Sequence, residues 1–452
     1  MDARRDILVA ACLATGASLA LWWMHPRIGV RDGDAVAYIT GAMSLQAGRG
    51  FVDLGGHALN HWPPGYSWWL SLFSQPLLAS QAVNYAAFGL ALAALFWNAR
   101  AVSWTVETAL ALSLIVGFGF LRGIATNAAP DIVVYAAFLL MLPVYLRGGR
   151  GTWVAVAVWA AMIPIKLIAV VFVPAGMLAA WWTGDRIATR QWGVALVGWG
   201  LVIAALCAFN LKTVGQFVPA SHAPASMRSV ADALGLMIFG LPRQGLAFWY
   251  GSVRSWTVMV PFVAIASLGV WCYASLERAP SASKIVALGL TLLGLSVALQ
   301  VVRQYSGGWR LTAYGLFAIL LGMRARPHTG RRWLVYAAAS LAFAVTNART
   351  VNATGVNDAR YATLAADVAP SVDVVPLATN SYHLLDVHQR IATTPVGSLG
   401  EVVGQRFLWI DLPSYDGTAT VITAMDRPSA GWCEAAEVAG AVLFRRCAAQ
   451  SK

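Results

Sequence analysis

The sequence predicts a polytopic α-helical membrane protein of about eleven transmembrane helices, followed by a small C-terminal α/β domain outside the membrane. Three observations carry that expectation. Of 452 residues, 58% are apolar and only 12% are charged, where a soluble domain carries roughly 25% charged residues. The apolar residues gather in runs of spanning length. The basic residues collect in alternate connections, as the positive-inside rule requires. Together these exclude an ordinary soluble enzyme, a coiled coil and a disordered chain. A net charge of +12 raises nucleic acid as a partner, but no basic cluster with interleaved aromatics and no nucleic-acid motif accompanies it.

Charge also divides the chain. Residues 1–349 hold 25 Lys/Arg against 10 Asp/Glu, whereas residues 350–452 hold 7 against 10. This predicts a basic transmembrane module, 1–349, and a slightly acidic domain, 350–452. Within the module, apolar runs place spans at 7–24, 81–98, 104–120, 131–146, 152–164, 167–182, 192–209, 255–275, 284–301, 311–323 and 333–347. The first follows Arg4 and Arg5 and ends in Trp22-Trp23-Met24-His25 without a small-residue cleavage site, so it is expected to anchor.

With the amino terminus inside, the short connections bearing Arg100, Arg147 and Arg150, Arg186 and Arg190, Arg278 and Lys284, and Arg324 to Arg332 fall on the cytoplasmic side. The long segments, above all the loop 25–80 and the tail, fall outside. Cys12, Cys207 and Cys272 lie in apolar runs and are expected to be small core residues. Cys433 and Cys447 lie in the tail on either side of Ala441-Val442-Leu443-Phe444, where an oxidising compartment permits a disulfide.

Chemistry is expected in the loop 25–80. It opens with Asp32-Gly33-Asp34, continues through a helix-forming stretch from Ile39 to Gln46, and is stopped by Gly48-Arg49-Gly50. His61 precedes Trp62-Pro63-Pro64-Gly65-Tyr66, a rigid turn because proline fixes φ and donates no amide. Asp34 suits a general base for a hydroxyl or, with His61, a ligand for a hard divalent cation. Taken alone, each is also what a solvated loop looks like. Two further ionisable residues sit at helix breaks. Asp131 follows Pro130 at the start of a span and reads either as a site residue or as a helix N-cap. Lys166 follows Pro164-Ile165 between two short spans, where a charged residue is a functional candidate or snorkels to the surface.

The order Asp34, Tyr38, Ala42-Met43, Gly48 and Pro63-Pro64-Gly65-Tyr66 resembles the GT-C superfamily of polyprenyl-phosphate-sugar glycosyltransferases, and within it the family 39-like bacterial branch of aminoarabinose and lipopolysaccharide-modifying transferases. Asp131, Lys166, the stretch Gly240 to Leu246 with Arg243, and Gly307-Gly308-Trp309-Arg310-Leu311 extend the resemblance over most of 1–346. One departure stands out: Asn60 and His61 occupy the place where some members carry a Glu before the proline turn.

The resemblance implies a bacterial inner-membrane enzyme of the cell envelope with a periplasmic active site. Its donor would be a polyprenyl-phosphate sugar and its acceptor a lipid or glycan, with inversion at the anomeric carbon. It implies catalytic roles for Asp34, Asp131 and Lys166. Substrate contacts then fall to Asp32, His61, Tyr66, Arg243, Arg303 and Arg310, the arginines because a guanidinium suits a phosphate. A divalent cation, Mg²⁺ or Mn²⁺, would be held by Asp34 and His61. The competing class is a transporter or flippase for lipid-linked substrates, against which stands the lack of an internal repeat. In the tail, Ser371 to Thr379, Phe407 to Ile410 and Ala441 to Phe444 read as strands, and Asn380 to Leu385 as the start of a helix.

Overall fold

Hydrocarbon leaves a backbone no water to bond with, so an apolar chain of this kind satisfies its amides internally, as helices. The computed structural model describes residues 3–26, 28, 33–52, 58–59, 62–101, 104–185, 189–214, 276–278, 283–303, 314–315 and 318, and strands between 323 and 446. Helices α1 (Ala3–Met24), α4 (Pro76–Ala101), α5 (Val106–Val116), α7 (Asp131–Leu146), α8 (Arg150–Ala161), α9 (Phe172–Trp182), α10 (Thr189–Val214) and α11 (Ser283–Arg303) form the apolar body. Helices α2 (Gly33–Gln46) and α3 (Gly65–Leu70) fill the first long loop, and α6 (Arg122–Ala125) follows a π-turn at Gly117–Leu121. Among the described residues, Arg4–Met24, Pro76–Ala101 and Gly193–Thr213 are long and apolar enough to cross a membrane, and Asp131–Leu146, Leu167–Trp182 and Lys284–Leu295 are shorter apolar helices. The chain is a mostly helical, multi-pass membrane protein.

Helix α4 is the central post, packed between α1 and α7. Gly89 makes the first contact possible, since a Cβ there would lie 2.2 Å from the carbonyl of Ala14; small residues at such crossings are how helices approach within a bilayer. Two asparagines make the second. The Asn84 amide donates to the carbonyls of Asn127 and Ala129 at 2.7 and 3.0 Å, and the Asn98 amide to that of Leu139 at 2.8 Å. Asn84 and Asn98 are about four turns apart on one stripe, and their partners ascend in the same order, so α4 and α7 run parallel. Phe138, Trp159, Phe172 and Tyr314 close the core with ring centroids 4.8–6.2 Å apart.

One end of this body carries the basic connections. Arg100 pairs with buried Asp6 at 3.1 Å. Lys284, at the start of α11, bonds to Asp185, Thr152 and the carbonyl of Tyr145, and lies 4.2 Å from the Tyr145 ring centroid. The short strand β1 (Leu276–Arg278) pairs antiparallel with β2 (Met323–Ala325), joining two connections expected on the same side. Further along, β3 (Leu377–Thr379), β4 (Thr393–Pro395), β5 (Phe407–Asp411), β6 (Trp432–Val438) and β7 (Ala441–Arg446) form one mixed sheet in the order β4-β3-β5-β7-β6. Strand β3 pairs parallel with both of its neighbours, and β7 antiparallel with both of its own.

Several boundaries differ from expectation. Helix α2 begins at Gly33 rather than Ile39, because an aspartate in the first turn is favoured by the helix dipole; it stops where expected, with Gly48 and Gly50 at φ of 70° and 85°. The third span is broken by the π-turn, and the sixth opens as a 3₁₀ turn, Leu167–Val171. Of the strand expected over 371–379, Leu377–Thr379 is described. Cys12 is exposed on α1 rather than buried in the core. The spans expected at 255–275 and 333–347 and the helix expected at Asn380 lie outside the described residues.

Asp185 generates a pH prediction. Burial works against its ionisation, but hydrogen bonds from the Lys284 ammonium, the Thr152 hydroxyl and the Gly149 amide outweigh that and hold its carboxyl below the usual carboxylate range. A depressed folded value stabilises above the unfolded one, about 3.9, and is lost as pH falls through the folded one. The unfolding temperature in detergent should therefore drop more steeply below about pH 4 for the native chain than for Asp185→Asn.

Candidate active site

Three charged side chains, far apart in sequence, meet at the opposite end of the α8–α9 hairpin from Lys284. Asp34 is placed by the first turn of α2 and Asp131 by the first turn of α7. Lys166 lies in the break between α8 and α9, in extended backbone (φ −150°, ψ 125°). Its Nζ donates to Oδ2 of Asp34 and lies 3.2 Å from Oδ2 of Asp131. The ammonium thus joins two carboxylates. Burial explains the pairing: Lys166 is 5% exposed, and an unpaired charge at that depth costs several kcal/mol. Snorkelling does not describe Lys166. Nor is Asp131 an N-cap: Pro130 holds that position, and the Asp131 carboxylate reaches Lys166.

Access separates the three. The Asp34 side chain keeps 27% of its surface exposed, against 11% for Asp131 and 6% for Lys166. Asp34 is the member an incoming group can reach. Its second oxygen, Oδ1, accepts the indole N–H of Trp62 at 2.9 Å.

The loop is built around this contact. Gly65, after the double proline, donates its amide to the carbonyl of Pro164 at 2.9 Å. A Cβ at position 65 would lie 2.5 Å from that oxygen, so only glycine lets the proline turn dock on the turn that bears Lys166. Tyr38, one turn beyond Asp34, places its ring 5.5 Å from Nζ of Lys166 and edge-on to Tyr66. The Ser67 hydroxyl donates to the Tyr38 carbonyl at 2.8 Å.

Tyr66, expected to contact substrate, lies in the interior. It is 2% exposed, and its hydroxyl bonds to Ser80 at 3.0 Å and donates to Asn84 at 3.1 Å. Burial, with Asp131 adding to it, pushes the phenol well above its usual range, so it stays protonated as a donor. Tyr66 therefore braces α3 against α4.

Of the other expected residues, Asp32, His61, Arg243, Arg310 and Cys447 lie outside the described residues. Arg303 is the last residue of α11, and its side chain is not described. Cys433 lies on β6 opposite Arg445. Sequence reasoning gave no role to Trp62 or Asn84, whose polar atoms take their meaning from partners 28 or more residues away.

No protein-family model and no curated protein matches the chain. Solved structures do. ArnT from Cupriavidus metallidurans in the apo state superposes with a TM-score of 0.53 over 96% of this chain and 97% of its own, at 14% identity. ArnT from the same organism bound to undecaprenyl phosphate covers 99% of each chain with a TM-score of 0.49, also at 14% identity. The apo likeness establishes the class of fold, that of a polytopic membrane protein. A solved protein with a similar fold is ArnT.

Lys166 is expected to carry the local stability of the site. Replacing it with methionine keeps the length but removes the ammonium that joins the two carboxylates. Loss of about 3–5 kcal/mol follows for a broken buried pair, read as a lower unfolding temperature. Lys166→Arg should recover part of that loss.

Proposed function

We propose that the chain is an inverting membrane glycosyltransferase that moves a sugar from a polyprenyl-phosphate donor to a lipid or glycan acceptor of the bacterial cell envelope. The observation that carries this reading is the geometry at Lys166, which holds Asp34 and Asp131 together while Asp34 keeps 27% of its side chain exposed. A carboxylate that an incoming group can reach is suited to accept a proton, and Asp34 is the more accessible of the two.

In this reading Asp34 takes the proton of the acceptor hydroxyl as that O–H bond breaks. The acceptor oxygen attacks the anomeric carbon, and the bond from that carbon to the phosphate oxygen breaks with its electron pair. Lys166 stays paired with Asp131, so the site never holds an unopposed carboxylate pair. The departing polyprenyl phosphate needs cations, which we assign to Arg243, Arg303 and Arg310; Asp32 and His61 are assigned to the sugar or acceptor. The match to a fold solved with undecaprenyl phosphate in ArnT agrees with a lipid-phosphate donor.

A divalent cation, Mg²⁺ or Mn²⁺, has a poor fit here. Lys166 already bonds to Asp34, the described member of the expected pair, and the other member, His61, lies outside the described residues. The ammonium supplies the compensating charge instead, and chelation with EDTA is expected to leave the rate within about twofold.

The remaining assignments belong to the same proposal. Eleven spans in 1–349 would carry an α/β domain, 350–452, in the periplasm, with Cys433 bonded to Cys447. The amino terminus would be cytoplasmic, because Arg100, Arg147, Arg150 and Lys284 share the end opposite the cluster.

The test is transfer from a membrane-embedded polyprenyl-phosphate sugar to envelope lipid. Asp34→Asn should lower kcat by about 10²–10⁴-fold, the usual span for loss of a general base, with the unfolding temperature preserved. Full activity in that variant rejects Asp34 as the base. A reporter fused after Lys452 that is active only in the cytoplasm rejects the sidedness.

A further inference from the structure

Asp34 has two carboxylate oxygens, and Lys166 accounts for one. The other, Oδ1, accepts the indole N–H of Trp62 at 2.9 Å. Trp62 stands directly before Pro63 and Pro64, whose φ angles are fixed by their rings. The next residue, Gly65, is bonded to Pro164, two residues before Lys166. The Trp62 and Lys166 donors to Asp34 are therefore hung on one backbone frame.

The indole itself is held from two sides. It is half-buried, and packs against a cluster containing Ile28, Tyr38, Ile39 and Tyr66 and against a second one of Ala37, Phe51 and Leu59. A ring wedged between two clusters has little freedom to turn, so the direction of its N–H is set by packing. Apolar contact alone would be served by phenylalanine; a tryptophan whose N–H meets a carboxylate has a polar task as well.

We propose that Trp62 is a positioning residue for the transfer reaction, holding Asp34 by Oδ1 so that the carboxylate faces the acceptor hydroxyl at a fixed angle. This rests on the reading of Asp34 as base. A carboxylate gripped by two donors from different directions cannot rotate about its Cβ–Cγ bond without breaking one of them. When the acceptor's proton passes to Asp34, the bond from Trp62 keeps the carboxyl in place. Meanwhile the acceptor oxygen forms its bond to the anomeric carbon and the phosphate leaves. Orientation of this kind acts on the chemical step, because a small misplacement of a reacting group is costly in rate.

The experiment uses the full chain in lipid nanodiscs with a polyprenyl-phosphate sugar, and compares Trp62→Phe with Trp62→His. Phenylalanine keeps a packed ring and loses the N–H; histidine keeps a ring N–H at a similar reach. Trp62→Phe should lower kcat about tenfold or more, as expected for one hydrogen bond to a charged group, with the donor KM within about twofold. Trp62→His should recover most of that loss. Unfolding temperatures, measured alongside, should show both variants folded. Native kcat in Trp62→Phe overturns the proposal. So does an equal loss in both variants, which is the mark of packing alone. Transfer by the unchanged chain is measured first. Its absence rejects the proposed function itself, and is thereby distinguished from a failure of Trp62.

Discussion

The bridge that Lys166 makes between Asp34 and Asp131 is the constraint from which the rest of the site follows. An ammonium at that depth needs a carboxylate partner, and a carboxylate as buried as Asp131 needs a cation. Each partner comes from a different element: α2, α7, and the break between α8 and α9. The bridge therefore fixes how the first loop sits on the helical body. Much nearby structure serves the same end. Gly65 lets the proline turn meet Pro164, Asn84 secures the residues just before Asp131, and Ser67 ties α3 to the backbone of Tyr38.

Much of this was legible in the sequence because membranes make charge scarce. With so few ionisable residues, an aspartate after Pro130 and a lysine after Pro164-Ile165 each stand out, and both reach the cluster. What was not legible was direction. Pro63-Pro64 announces a turn but not that it docks on Pro164, and nothing local shows that the Trp62 indole points at Asp34. Those facts depend on residues 28 to about 100 positions away. The start of α2 was missed for a related reason. Gly33 and Asp34 read as loop by composition, yet an aspartate in a first turn is stabilised by the dipole of the helix that it opens. The partners of Tyr66 were hidden in the same way: its hydroxyl bonds to Ser80 and Asn84 and braces α3 against α4.

The basic residues of the other end carry a second lesson. Counted as topology signals, Arg100 and Lys284 are charges without structure. In the fold, Arg100 is bonded to Asp6 and to the carbonyl of Trp104, and Lys284 to Asp185, Thr152 and Tyr145. Asp185 escaped notice because it sits in a connection read for its arginines. The same residues that orient a chain across a membrane also close its helix ends, where carbonyls and carboxylates would otherwise lack partners.

The two ion clusters are linked by a pair of short helices, α8 and α9. Thr152 and Asp185 flank the start of α8 and the end of α9, while Lys166 stands at the turn between them. One cluster thus clamps the open end of the hairpin, and the other uses its tip. A hairpin of this length, held at its base by a lysine from α11, has little scope to slide along its axis. The height at which Lys166 meets the two aspartates is then set by packing through the bilayer, by Gly176 against Trp159 and by Trp159 against Phe138. The charged site at one face is in this sense an expression of the apolar core: the core fixes where the lysine stands, and the lysine fixes where Asp34 can act.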